Sequence, residues 1–272
     1  MPDNTNPQAE QMAHESMVRN LAAQANAIWP QERPLFDRYE LPARASVVDA
    51  GCGPGEIILR LAETWPQSSF HGIDVDPAHL ELARRRCAPL GDRVRFTPGD
   101  AFHLPVDDRT CDLAMCRHLL QAVPEPWRVV DELIRVTRPG GILHLVAEDY
   151  GMMHFHPVRG DNDQFWRDGP MTFAERTGSD LRSGRTMYTI LAERGLADVR
   201  VDYVVIDPVR VPRDVFANIW VAWRDGYADA IATHSELEHA AILEQFEDMI
   251  AAIRSEKGYG VWFLPVISGR VV

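Results

Sequence analysis

The chain has 272 residues, of which 46% are hydrophobic and 25% are charged, a balance typical of globular proteins. Its formal net charge of -12 argues against nucleic acid as a partner, because duplex-binding proteins usually present a basic face. No apolar run approaches membrane-spanning length and the first residues are polar, so we expect neither a membrane partner nor a secretion signal. Four cysteines without metal-ligand spacing favour a reducing cytoplasm and no metal site.

A helix-rich stretch, about residues 8–29, comes first, and prolines at positions 30 and 34 are predicted to break it. From residue 45 onward, strand and helix patterns alternate regularly. The predicted strands are 46–50, 69–75, 93–97, 111–116 and 141–147, and the predicted helices are roughly 56–64, 77–88 and 127–136. Such alternation predicts a parallel sheet covered on both faces, with ligands bound at the carboxyl ends of its strands.

The later part of the chain is less regular. Residues 151–184 hold few strand signals, and a helix at about 185–194 leads into a strand at 199–206. Two inserted helices are then predicted. The first, about 213–230, carries an aromatic stripe, and the second starts with a capping box at 235–238. A last strand, about 261–268, follows.

A glycine turn follows the first predicted strand, with the sequence Asp49-Ala50-Gly51-Cys52-Gly53-Pro54-Gly55. Glycine permits positive φ and lets a ligand approach the backbone without a Cβ in the way. The turn precedes a helix N-terminus, which attracts an anionic group such as a carboxylate. A dinucleotide fingerprint would also need glycine at position 56, where this chain has glutamate.

The spacing Asp-x-Gly-x-Gly-x-Gly instead resembles the first motif of class I S-adenosylmethionine (SAM) methyltransferases. Four further segments resemble later motifs of that family, in its order: residues 72–77, 98–102, 111–120 and 138–141. The resemblance covers roughly residues 45–206 and is closest to the small-molecule and quinone-type methyltransferases. It implies an α/β, Rossmann-like doubly wound sheet of seven strands, six parallel and the last antiparallel. It also implies SAM as cofactor and S-adenosylhomocysteine as product.

The resemblance assigns roles to residues at the predicted strand ends. Asp74 would accept hydrogen bonds from both ribose hydroxyls, which suits a carboxylate. Asp100 would bind the adenine amino group, and the backbone of Ala101 would meet the ring. The loop after the fourth strand would lie along the methionine part of the cofactor. The expected cofactor-binding set is Asp49, Gly51, Gly53, Asp74, Val75, Asp100, Ala101 and Arg117.

The acceptor site is expected beyond the fourth and fifth strands. An acceptor atom would attack the sulfonium methyl in line, and a base is needed only if that atom must first lose a proton. The candidate catalytic residues are His118, Tyr150 and His154, and the candidate substrate-binding residues are Glu148, Trp220 and Trp223; Glu148 is also a candidate base. The helices before residue 29 and after residue 213 are predicted to cover the site as a lid.

The predicted organisation is an N-terminal helical cap at residues 1–44 and a SAM-binding domain at 45–272. Helical insertions are expected at about 151–184 and 210–258. The predicted function is SAM-dependent methyl transfer to a small-molecule acceptor. Two alternatives stay open: a methyltransferase acting on protein or RNA, and a SAM-binding protein without catalysis. Both a monomer and a homodimer are compatible with the sequence.

Overall fold

An eight-stranded sheet lies at the centre of the structure, a computed structural model that describes residues 14–272. The strands are β1 (Ser46–Ala50), β2 (Ser69–Asp74), β3 (Val94–Pro98), β4 (Cys111–Arg117), β5 (Thr137–Val146), β6 (Met153–His156), β7 (Ala197–Ile206) and β8 (Tyr259–Arg270). Their order is β3-β2-β1-β4-β5-β8-β6, and β7 also pairs with β8. The first five strands pair in parallel, whereas β8 is antiparallel to β5, β6 and β7. The predicted α/β fold with an antiparallel last strand is confirmed.

Helices cover the sheet and account for most of the remaining chain. They are α1 (His14–Phe36), α2 (Glu56–Thr64), α3 (Pro77–Cys87), α4 (Pro126–Val136), α5 (Asn162–Trp166), α6 (Thr172–Thr177), α7 (Met187–Glu193), α8 (Arg213–His234) and α9 (His239–Arg254). Every residue of the central strand β4 is buried, as expected for a strand covered on both faces. Among residues 14–272, no helix combines the length and apolar character needed to span a membrane.

Two predictions about the later part of the chain were wrong. The sheet has eight strands instead of seven, because Met153–His156 forms β6 against residues 259–262 of β8. Its side chains alternate between buried and exposed over only four residues, which is too short a pattern to separate from a loop. The predicted capping box does not start α9. That helix begins at His239, while the Ser235 hydroxyl accepts a hydrogen bond from the Leu237 N–H in the preceding turn.

The N-terminal helix is longer than its prolines suggested. Residues 1–13, with part of the predicted helix and cap, lie outside the described residues. From His14 the helix continues through Pro30 and Pro34 to Phe36. Ile28 and Phe36 are buried on either side of the prolines. Tertiary packing therefore maintains a helix that the loss of two backbone donors would weaken.

A buried ion pair fastens α1 to the sheet. Glu32 on α1 is fully buried and accepts hydrogen bonds from Arg117 Nε at 2.8 Å and Nη2 at 2.7 Å. Its Oε1 also lies 2.9 Å from His144 Nε2, and His144 Nδ1 lies 2.6 Å from the Tyr39 hydroxyl. Burial raises the pKa of Glu32, but the Arg117 charge and the His144 hydrogen bond outweigh it and lower that pKa to about 2. The network thus joins α1 to the carboxyl end of β4 and to β5.

Replacing Glu32 should strongly destabilise the fold. In Glu32→Ala the buried Arg117 guanidinium loses its counter-charge, so the free energy of unfolding should fall by about 3–5 kcal/mol. Because folding lowers the pKa of Glu32, its contribution is present above about pH 4.3 and is lost as the pH falls toward 2. Urea denaturation at pH 7 and pH 3 would measure both effects.

The matched control is Glu15→Ala, which removes an exposed ion pair with Arg19 at the start of the same helix. That change should cost less than about 1 kcal/mol at either pH. Equal losses in the two variants would show that the buried pair does not hold α1.

Candidate functional site

A groove runs along the carboxyl ends of β1 to β4. It consists of three adjoining cavities that share Gly51, with volumes of about 190, 40 and 30 Å³. The largest, the main cavity, extends beneath α1 and α8. The smallest, the loop-side cavity, adjoins the glycine turn, and the third, the edge cavity, lies at the ends of β2 and β3. Parallel strands present their carboxyl ends at one edge, which places a ligand site there.

The glycine turn needs its glycines for two different reasons. Gly51, Gly53 and Gly55 have φ values of 75°, 50° and 76°, which side chains rarely adopt. A Cβ at Gly55 would lie 3.1 Å from Ala83 Cβ, so this glycine lets α3 pack closely. Gly51 and Gly53 instead line the groove, and a Cβ on Gly51 would lie 2.9 Å from Leu119 Cδ2. The turn therefore exposes backbone to a ligand on one side and packs on the other.

Asp49, at the end of β1, carries a buried carboxylate without a counter-charge in contact. Its exposed fraction is 1%, and neither carboxylate oxygen has a hydrogen-bond partner among residues 14–272. Burial raises its pKa to about 7; the Arg117 charge opposes that shift, and the charges of Asp74 and Glu32 add to it. The residue lines the loop-side cavity. An orphan buried carboxylate beside a groove favours a cationic or hydrogen-bond-donating ligand group.

The ends of β2 and β3 supply two further carboxylates. Asp74 Oδ2 accepts a hydrogen bond from Gly53 N at 2.8 Å, and Oδ1 accepts one from Asp76 N at 2.9 Å. An ionised carboxylate has about four acceptor sites, so Asp74 keeps capacity for a ligand. Asp100 Oδ1 accepts from Phe102 N at 2.9 Å. The edge cavity is lined by the predicted residues Asp74, Val75, Asp100 and Ala101 together.

Arg117 lines the main and loop-side cavities, but its guanidinium is held by Glu32 on α1. Arg117 was predicted to bind the cofactor, whereas its partner Glu32 was not predicted. The helix before residue 29 was predicted to cover the site, and α1 lines the main cavity, although its lining residues were not named from the sequence. The four α1 residues that line it are Met17, Asn20, Leu21 and Gln24. Their spacing of three and four positions marks one helical face, a signal that polar Asn and Gln partly conceal.

The opposite wall of the main cavity is aromatic and includes Tyr150, Trp223 and Tyr227. The Tyr150 ring stacks against those of Trp166 and Trp262, each at a centroid distance of 5.4 Å. Burial raises the pKa of Tyr150 well above its usual value, and the Glu148 charge adds to the shift. Its hydroxyl therefore stays protonated near neutral pH. Such a hydroxyl is a poor proton acceptor, so this environment does not favour Tyr150 among the candidate bases.

His118 and Glu148 form a buried pair at the ends of β4 and β5. His118 Nδ1 lies 2.5 Å from Glu148 Oε1, and the two side chains are 5% and 0% exposed. His118 has a φ of 58°, and its N–H donates to the Val146 carbonyl at 3.0 Å. Both residues line the main cavity. Within the described chain, His118 Nε2 and Glu148 Oε2 are buried without a hydrogen-bond partner.

Two predicted acceptor-site residues lie elsewhere. His154 is exposed on β6 and borders a separate surface depression, because the pairing of β6 with β8 carries it away from the groove. Trp220 is fully buried and packs on Trp262 with a centroid distance of 5.8 Å. It does not line the main cavity, whereas Trp223, three positions further along α8, does. Both rings contact Tyr150 and Trp166, but of the two only Trp223 lines the cavity.

Comparisons with known proteins agree with this geometry. Residues 47–141 match a family model described as a methyltransferase domain. The chain is 38% identical over 117 residues to 27-O-demethylrifamycin SV methyltransferase of Amycolatopsis mediterranei, covering 41% of this chain and 43% of that protein. It is 37% identical over 120 residues to trans-aconitate 2-methyltransferase of Streptomyces coelicolor, covering 42% and 39%. The chain thus spans about two fifths of the length of these curated relatives.

Among solved structures, the [4+2]-cyclase SpnF is similar with a TM-score of 0.54 and 25% identity, over 90% of this chain and 84% of that one. The shared fold extends well beyond the matched domain. A fold of this kind is compatible with more than one reaction, so the reaction must be inferred from the site. The strands of the segment that matches a methyltransferase domain, residues 47–141, end on the residues that form the groove.

Proposed function

We propose that the chain binds SAM in the groove and directs its methyl group to a small molecule held in the main cavity. The observation that carries this proposal is the orphan carboxylate of Asp49 beside the glycine turn. SAM has an ammonium group, a ribose diol and an adenine amino group along its length. The groove offers acceptors in matching order at Asp49, Asp74 and Asp100.

The individual residues fit this ligand. A ligand ammonium would supply the counter-charge that the buried Asp49 lacks, and would favour the ionised form of its carboxylate. Beyond its bonds to two backbone N–H groups, the Asp74 carboxylate keeps acceptor capacity that suits the ribose hydroxyls. Val75 is 48% exposed, so its apolar side chain offers a surface for the adenine ring. Gly53 keeps the backbone approachable between these groups.

The protein's task in methyl transfer is orientation and exclusion of water. SAM, when bound, supplies a methyl group already activated by a positively charged sulfur. The aromatic wall of Tyr150, Trp223 and Tyr227 would hold an apolar acceptor against the groove. Helix α1, fixed by Glu32, would keep the main cavity closed from above. These features orient a nucleophile and dry its surroundings.

A small acceptor is favoured over a macromolecule because the main cavity lies beneath α1 and α8 and has a volume of about 190 Å³. The names of the rifamycin and trans-aconitate relatives also denote small molecules. The similarity to a [4+2]-cyclase supports a second candidate, a protein of this fold that does not transfer methyl groups. One experiment distinguishes these possibilities: the chain is incubated with methyl-labelled SAM and with small-molecule, protein or RNA fractions. Label in the small-molecule fraction is expected. Label in protein or RNA, or binding without transfer, would overturn the proposal.

Asp49→Asn should weaken cofactor binding and remove its pH dependence. Calorimetry with S-adenosylhomocysteine, which keeps the ammonium, should show a loss of roughly tenfold or more at pH 8. In the wild type the affinity should fall as the pH drops below about 7, by up to roughly tenfold per pH unit, because a proton then competes with the ligand for Asp49. Asp229→Asn, at an exposed carboxylate on α8, is the control and should change neither quantity. A wild-type affinity that is flat between pH 6 and pH 8 would contradict this role of Asp49.

Gly53→Ala should cost affinity beyond its effect on stability. Gly178, after α6, also has a positive φ, 86°, and a Cβ there would meet no atom within 4 Å. A Cβ at Gly53 would lie 3.2 Å from Leu21 Cδ1, the end of a flexible side chain that can move aside. Both Gly→Ala changes should therefore lower stability by similar amounts, about 1 kcal/mol. Only Gly53→Ala places a methyl group in the groove, so it alone should weaken S-adenosylhomocysteine binding, by roughly tenfold or more. Equal affinities in the two variants would show that the turn does not contact the ligand.

A further inference from the structure

The walls of the main cavity contain buried polar atoms that lack hydrogen-bond partners among residues 14–272. Asn20 and Gln24, one turn apart on α1, are 6% and 1% exposed, and Asn20 Oδ1 and Gln24 Oε1 have no partner among residues 14–272. His118 Nε2 and Glu148 Oε2 are also buried without a hydrogen-bond partner among these residues. All four residues line this cavity. Since unpaired buried acceptors cost free energy, a ligand that brings hydrogen-bond donors is favoured there.

The charged side chains that line the main cavity indicate which kind of acceptor it can hold. Arg117 is the one arginine or lysine among the described residues that line the main cavity, and its Nε and Nη2 donate to Glu32. His79, at the other end of the cavity, lies 3.8 Å from Asp74. An acceptor with a carboxylate or phosphate group would therefore lie near the buried Glu148 carboxylate. Apart from the paired Arg117, the described lining residues include no arginine or lysine to balance its charge. An uncharged molecule with an apolar body matches the aromatic wall instead.

We propose that the methyl acceptor is a hydroxyl group on an uncharged, largely apolar molecule, and that His118 Nε2 removes its proton. This rests on the proposed SAM-dependent function. Glu148 acts as the positioning residue. Its carboxylate accepts from Nδ1–H, which leaves the lone pair of the neutral imidazole on Nε2, and it stabilises the imidazolium that forms. A hydroxyl is a weak nucleophile while it keeps its proton, so a buried base is useful to it.

With an alcohol or phenol as acceptor, the hydroxyl oxygen attacks the methyl carbon and an O–C bond forms. The C–S bond breaks, and its electron pair goes to sulfur. The sulfur becomes a neutral thioether, and the hydroxyl proton moves to His118 Nε2. The imidazolium, paired with Glu148, then releases its proton to water. The products are a methyl ether and S-adenosylhomocysteine.

The activity test uses a panel of uncharged alcohols and phenols beside matched carboxylic acids, with methyl-labelled SAM. Label is expected on hydroxyl compounds and not on the acids. His118→Asn should lower turnover about a hundredfold or more, with S-adenosylhomocysteine affinity within threefold of the wild type. The matched control His154→Asn, at an exposed histidine outside the groove, should keep turnover within about twofold. Methylation of the acids, or full turnover in His118→Asn, would overturn the proposal.

Glu148 needs a readout that a purely structural role would not change. For a reaction that needs a base, turnover is expected to rise with pH. Glu148→Gln should shift this rise along the pH scale, because the imidazolium loses its negative partner. Glu148→Asp should partly restore the wild-type profile. Loss of turnover in both variants with an unshifted profile would assign Glu148 to the fold alone.

The protonation of the His118 ring nitrogens can be measured by NMR, and this tests the base assignment even if no compound in the panel is labelled. ¹⁵N NMR of the wild type with bound S-adenosylhomocysteine at pH 8 should show His118 protonated at Nδ1 and unprotonated at Nε2, with His118→Asn identifying the signals. Protonation at Nε2 would overturn the base assignment, because that nitrogen could not then accept a proton. Failure of the wild type to bind S-adenosylhomocysteine would instead overturn the proposed function, so the two failures are distinguishable.

Discussion

The buried pair between Glu32 and Arg117 is the contact on which the site depends. It joins a helix that precedes the sheet to the carboxyl end of β4, in the middle of the groove. The His144 and Tyr39 hydrogen bonds extend the link into β5 and into the turn after α1. A charged pair of this kind is costly to bury and costly to break, which makes the position of α1 well defined. Without it the main cavity would lose one wall.

This pairing also sets the charge of the site. Because Arg117 is committed to Glu32, it compensates Asp49 only from a distance, and burial keeps the pKa of Asp49 near 7. The chain therefore retains an uncompensated acidic group beside the glycine turn and a Glu148–His118 pair further along the groove. Unpaired buried polar groups reduce the stability of the ligand-free fold, and such groups are a common feature of sites that bind ligands. The groove beside Asp49 is thus suited to a cationic or hydrogen-bond-donating group of a ligand.

The glycine turn and the carboxylates of the groove could be predicted because these features are local. The turn from Asp49 to Gly55 and the carboxylates Asp74 and Asp100 each follow a strand within a short stretch of sequence, and parallel strands bring their ends together. The acceptor side was predicted less well. His154 and Trp220 were placed by their distance from a strand or by an aromatic stripe, and pairing with β8 and packing on Trp262 moved both away from the groove.

By itself, the sequence determined the fold class, the glycine turn and the order of the groove's carboxylates, because strand alternation and turn chemistry depend on neighbouring residues. The tertiary structure alone decided that Glu32 holds Arg117 and that Glu148 orients His118, across 85 and 30 positions of the chain. It also decided which ring of α8 faces the main cavity. These are pairings between distant segments, and no local pattern specifies the partner of a buried polar side chain.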